Sequence, residues 1–162
     1  MDGNLVEQLF GFVGFGLLVS SWQFAAHRTI LLFNVAAFVF FAIGLYLMGA
    51  TVGALMIGFA AVNATVAVFT RNRWIVAVLL VVPVGVGFAD AERIHDALPI
   101  ISHVTGTIAF FSKDVRVMRK WAPVGTVLWA IYNFIVGAWG QFLADLAILA
   151  SMALGAYRYR RA

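Results

Sequence analysis

The chain reads as an all-α membrane protein: seven transmembrane helices form two parallel three-helix repeats joined by a linker helix (3-1-3), amino terminus outside and carboxyl terminus inside. Three observations predict this. Hydrophobic residues make up 64% of the chain and charged residues 11%, with a mean hydropathy of +0.98, which leaves too little polar surface to coat a soluble domain. Ten of the eleven Lys and Arg residues fall in every second gap between long uncharged stretches, as expected when short basic loops stay cytoplasmic. The third observation is a weak internal repeat at a spacing of 88 residues.

The uncharged runs are Leu9 to Ala26, Thr29 to Thr70, Trp74 to Ala89, Ala97 to Ser112 and Trp121 to Ala144, with Asp145 the one charge before Arg158. A crossing needs about 20 residues, so the second run must fold back near Gly49-Ala50. The stretch from Trp121 to Tyr157 must likewise fold back near Gly137-Ala138-Trp139-Gly140. This division places Arg28, Arg71, Arg73, Lys113, Arg116, Arg119, Lys120, Arg158, Arg160 and Arg161 inside, and Asp2 and Glu7 outside. Arg93, the exception, sits in an outer loop beside Asp90, Glu92 and Asp96, where acidic neighbours offset it. The fourth run contains Pro83, and the fifth is polar for lipid, with Pro99, Ser102, His103, Thr105 and Thr107. Both are expected in the bundle interior, where neighbours satisfy freed backbone and polar groups.

A shift of 88 lays Arg28 on Arg116, Phe41 on Trp129 and Met48-Gly49-Ala50 on Val136-Gly137-Ala138; after one deletion, Gly53 falls on Gly140 and Arg71 on Arg158. Each copy is then three helices with a basic first loop and a glycine hairpin between the second and third. Residues 1–72 form the first bundle, 73–96 the linker helix and outer loop, and 97–162 the second bundle. An odd number of crossings in the linker makes the two copies parallel.

The chain has no cysteine, which excludes disulfides, thiolate metal sites and cysteine nucleophiles. No nucleophile-base triad, metal-ligand cluster or phosphate-cradling loop stands out, so the chain reads as a non-enzyme with no catalytic residue, no metal and no cofactor. The amino terminus lacks a basic segment ahead of its apolar run, so it is expected to be retained as a helix and not cleaved as a signal. Its pI of about 10.0 comes from the inner loops and suits anionic lipid headgroups. Nucleic acid is not expected as a partner, because the charge is divided among short loops. Trp22, Trp74, Trp121 and Trp139 fall at predicted interfaces, where an aromatic belt accounts for them.

Function must come from polar groups placed inside the membrane, each of which is costly and faces a partner or a cavity. Asp145 lies about 9 Å into the seventh helix at 1.5 Å per residue. His103 of the fifth helix and Asn133 of the sixth fall at nearly the same depth, so three helices of the second copy contribute one polar layer. The counterparts of Asp145, His103 and Asn133 in the first copy are Gly58, Phe15 and Leu45, so the layer is asymmetric. Asp145 and His103 are candidates for a charge or proton pair. Asn133 is a candidate solute ligand together with Trp129, one helical turn earlier on the same face, with Tyr132, and with Asn63 near mid-membrane. The other reading is that these groups satisfy one another and lock the bundle.

Several short segments carry a resemblance: Leu47-Met48-Gly49-Ala50-Thr51, Leu98-Pro99-Ile100-Ile101 leading to Gly106-Thr107-Ile108, and Trp129-Ala130-Ile131-Tyr132-Asn133-Phe134 followed by Gly137 and Gly140. Through them, over about residues 11–160, the chain is similar to the YgjV family of bacterial inner-membrane proteins. That resemblance implies a place and a fold without a reaction. The family tends to carry a histidine just before the aromatic residues ahead of the first glycine hairpin, where this chain has Phe40-Phe41. The 3-1-3 plan also resembles the SWEET and PQ-loop class of small-solute transporters, although no Pro-Gln dipeptide is present. The expected function is passage of a small polar, sugar-like solute through a multi-pass bacterial inner-membrane protein, with lipid and anionic headgroups as partners and a homo-oligomer as a further expectation. The alternative is a non-transporting membrane adaptor with a basic inner face.

Overall fold

The computed structural model describes residues 3–21, 27–70, 72–112 and 115–159. Among the described residues are seven α-helices and no strand: α1 (Gly3–Ser21), α2 (His27–Leu47), α3 (Thr51–Phe69), α4 (Arg73–Asp90), α5 (Ala97–Phe111), α6 (Val115–Val136) and α7 (Trp139–Tyr159), with a 3₁₀ turn at Ile94–Asp96 before α5. Arg71, Lys113, Arg160, Arg161 and Trp22 lie outside the described residues, as do the side chains of Arg28, Arg116, Arg119 and Arg158.

The two expected hairpins form, and they close in the same way. Gly49 and Gly137 have φ of 73° and 76°, a left-handed conformation that a Cβ would strain. The Ala50 N–H donates to Leu45 O at 2.9 Å and the Ala138 N–H to Asn133 O at 2.8 Å, the six-to-one bond that satisfies a terminal helix carbonyl. At the start of α4, the Asn72 side chain accepts from the Trp74 N–H at 3.0 Å. In the α4–α5 connection, the Asp96 carboxylate accepts from the Glu92 and Arg93 N–H groups at 3.2 and 2.9 Å. It holds backbone there, and no ion pair of Arg93 occurs among the described residues.

Packing closes six helices into a ring: α1 against α2, α2 against α3, α3 against α5, α5 against α6, α6 against α7, and α7 back against α1. α4 lies outside the ring, against α3 and α5. Phe41, Leu45, Tyr132, Ala138 and Ala144 form much of the buried core.

Three expectations require correction. α4 is peripheral and not interior: Trp74, Val78, Val81, Val82 and Phe88 are exposed, and the buried residues on this helix are Pro83 and Gly87. The backbone cost of Pro83 is met by one neighbour, described below, so the remaining faces can stay apolar and bare. α5 is interior as expected, with Ser102, His103, Thr105 and Thr107 all buried. Helix ends also move: α1 begins at Gly3, which draws Glu7 into a helix, and α6 begins at Val115, which draws Arg116, Arg119 and Lys120 out of a loop into its first turns.

Candidate functional site

A cavity of about 220 Å³ lies within the ring. Asn63, His103, Trp129, Asn133 and Asp145 all line it, together with Asn34, Ser102, Thr107 and Gln141. Local geometry explains why they meet. Asn133 sits in the last turn of α6, where its carbonyl anchors the Gly137 hairpin. Its side-chain amide donates to Asp145 Oδ2 at 2.8 Å, tying α6 to α7 across that hairpin. Trp129, one turn before Asn133, faces the same space.

A second cluster joins α3 and α5. The Thr107 hydroxyl gives its hydrogen to His103 O at 2.8 Å, so its oxygen must accept from Asn63 Nδ2 at 2.7 Å. That fixes the Asn63 amide, with Oδ1 turned the other way. His103 Nε2 lies 2.9 Å from Leu79 O. A carbonyl can only accept, so Nε2 carries the hydrogen. In an uninterrupted helix Leu79 O would receive the N–H of the residue four positions later, but that residue is Pro83 and has none. His103 thus clips α4 to α5 by filling the bond the proline deletes. Among the described residues no ion pair joins His103 to Asp145, so the two expected partners share the cavity wall while bonding to different groups.

Tyr132 lies elsewhere. Its hydroxyl accepts from the Gly53 N–H at 3.2 Å, one of the first-turn donors of α3 that no intrahelical carbonyl reaches, and Ala50 at the N-cap offers no side chain for them. The ring faces a separate recess with Asp90, Glu92, Arg93, His95 and Asp96. Tyr132→Phe is expected to cost about 1 kcal/mol of stability, measurable by thermal unfolding of the purified protein. Ser102 and Thr107 were expected in the bundle interior but not as site residues, and Gln141 was not singled out, yet Thr107 stands four residues after His103 and Gln141 four before Asp145, the spacing that shares a helix face.

At the hairpin end of the ring, α1 and α2 each contact α7. A Cβ built on Gly140 would lie 2.6 Å from Gly11 C and 2.7 Å from Phe12 N, so the two backbones touch with no side chain between them. Beside that contact, Gln8 Nε2 donates to Gly137 O at 2.9 Å and Gln141 Nε2 to Phe41 O at 3.4 Å. Toward the other end the wall is apolar, with Leu18, Phe38, Phe110 and Met152.

The outward faces of the bundle are apolar too. Leu5, Leu9, Leu32, Val62 and Phe69 on the ring and Trp74 on α4 are all exposed, far more bare apolar surface than a soluble monomer carries. α3 and α4 are each long and apolar enough to cross a bilayer, and shorter apolar helices run over Leu5–Ser20, Leu32–Leu47 and Trp139–Ala153. A helical bundle with a lipid-like exterior and polar groups turned inward is the build of a helical membrane protein.

Comparison with known proteins agrees: residues 5–162 match the Imp-YgjV family model, described as a bacterial inner membrane protein, and the chain belongs to that family. It is similar to the inner membrane protein YgjV of Escherichia coli strain K12, with 29% identity over 122 residues, which is 75% of this chain and 64% of that protein. The chain thus spans less than two thirds of this relative's length. No solved structure matches it.

Proposed function

We propose that the chain is a multi-pass carrier for a small polar solute, which binds in the central cavity and crosses as two three-helix bundles, α1–α3 and α5–α7, rock about it. The observation that carries this reading is the cavity itself, surrounded by six helices, with several polar atoms of its lining residues left without a protein partner. Asn34 Oδ1, Asn63 Oδ1, Asn133 Oδ1 and His103 Nδ1 are buried without a hydrogen-bond partner, a cost that a bundle needing only internal fastening would not carry.

The matched hairpins at Gly49 and Gly137 support the repeat, and so does the order of the ring. Exchanging α1–α3 for α5–α7 leaves that order unchanged, as a two-fold axis along the membrane normal would. Residues 73–96 then serve as linker, joining residues 1–72 to residues 97–162, and the sorted basic residues support an outside amino terminus with anionic headgroups at the inner loops. The close α1–α7 contact at the hairpin end suits the closed side of an alternating carrier. In this reading the plan resembles that of the SWEET and PQ-loop class. No step here calls for an enzyme.

The test is solute uptake by the purified chain in liposomes, screening small polar metabolites. Asn133→Ala and Trp129→Ala are each expected to lower uptake at least tenfold while the protein remains folded. Folded wild-type protein that moves none of the solutes would instead support the adaptor alternative, in which the Asn133–Asp145 and Asn63–Thr107 bonds serve as fastening.

A further inference from the structure

We infer that the solute taken by this cavity is a small ammonium cation, an inference that rests on the solute-site reading above and names the chemistry of that site. Three features of the wall converge on it.

The first is charge. Asp145 is the sole carboxylate among the lining residues, and none of them is Lys or Arg. An anion would meet a carboxylate with no Lys or Arg to offset it, in a place where Coulomb interactions are little screened.

The second is a mismatch of donors and acceptors. The hydroxyls of Ser102, Thr107 and Thr126 each give their single hydrogen to a backbone carbonyl, at 2.9, 2.8 and 3.0 Å. The amide nitrogens of Asn63 and Asn133 are turned onto Thr107 and Asp145. Their oxygens are left over: Asn63 is 1% exposed and Asn133 3% exposed, and Oδ1 of each has no partner. The two come from α3 and α6, the helices that flank α5 in the ring. Free acceptors on this wall, Oδ1 of Asn34, Asn63 and Asn133 among them, outnumber the free donors, the Asn34 amide and the Trp129 indole N–H, so a polyol, with as many acceptors as donors, is matched less well than an ammonium group, which only donates.

The third is the remaining wall. Phe38, Phe41, Phe110 and Trp129 line the same space, and aromatic faces attract a desolvated cation. Together these supply a counter-charge, two amide oxygens and a ring lining for one ammonium head and a short apolar tail.

Three probes of equal carbon number separate the classes: propylammonium chloride, 1,3-propanediol and sodium propionate. Thermal unfolding of the full chain in detergent is followed at matched concentration and ionic strength, since a ligand that binds the folded state raises Tm. Propylammonium is expected to raise Tm and the other two to leave it unmoved. Asp145→Asn keeps a side chain that can bond to Asn133, and it is expected to need at least ten times more propylammonium for the same shift. Trp129→Leu, which leaves the carboxylate in place, is expected to weaken the response about threefold. An equal or larger shift with propanediol or propionate overturns the assignment, as does an unchanged response in folded Asp145→Asn. Should Asp145→Asn not fold, the ranking of the three probes on the wild-type protein and the Trp129→Leu response decide the matter. In liposomes, preferred uptake of propanediol overturns the cation and leaves the carrier intact. Selective binding of propylammonium without uptake overturns the carrier and leaves the cation standing.

Discussion

Gly140→Val is expected to destabilise the protein by about 3 kcal/mol or more, the upper end of overpacking costs. The reason is the atom it meets. A side chain at Gly140 presses on the Gly11 and Phe12 backbone within 2.7 Å, and backbone cannot turn aside as a flexible side chain would. Where small residues bring two membrane helices into contact, the bulk of one Cβ acts directly on helix separation. α1 and α7 must therefore part, and the Gln8–Gly137 bond beside them is lost as well. Unfolding in a denaturing detergent series checks the magnitude. Gly16→Ala, at a position where a Cβ meets nothing within 4 Å, is the matched control and is expected to be neutral.

Replacing His103 by Phe removes the donor to Leu79 O at similar volume, and the loss is expected to be about 2 kcal/mol, the cost of a buried carbonyl with no partner. The same change made together with Pro83→Ala is expected to cost about 1 kcal/mol less, because the alanine restores the N–H that Leu79 O lacks. A double-mutant cycle in thermal unfolding measures this. Additive losses would show that the 2.9 Å bond contributes nothing to holding α4.

Much of this could be read in the sequence, for reasons particular to each part. The hairpins were visible because a long apolar run must turn somewhere and glycine is the residue that tolerates the turn. The wall residues Asn63, His103, Asn133 and Asp145 stood out because an amide, imidazole or carboxylate in an apolar run has to face something. The position of α4 was not visible. A proline in an apolar run signals a freed carbonyl but not its donor, which here lies 24 residues away on another helix. Tyr132 misled for a simpler reason: neighbours on a helix are about 100° apart, so standing beside Asn133 in sequence turns it away from Asn133 in space. The basic first turns of α6 read as loop in the sequence because charge marks the membrane boundary and says nothing about whether the helix continues through it.

The clip between His103 and Leu79 also makes the cavity wall observable from outside the ring. The carbonyl stretch of a peptide group shifts with the strength of the bond it accepts, and Leu79 O has one donor where its neighbours on α4 have a ladder. A ¹³C label at the Leu79 carbonyl would move its band clear of the rest of the helix. Infrared spectroscopy could then follow whether the imidazole holds or releases that oxygen as the cavity fills, with no dye or spin label attached to the lipid-facing surface.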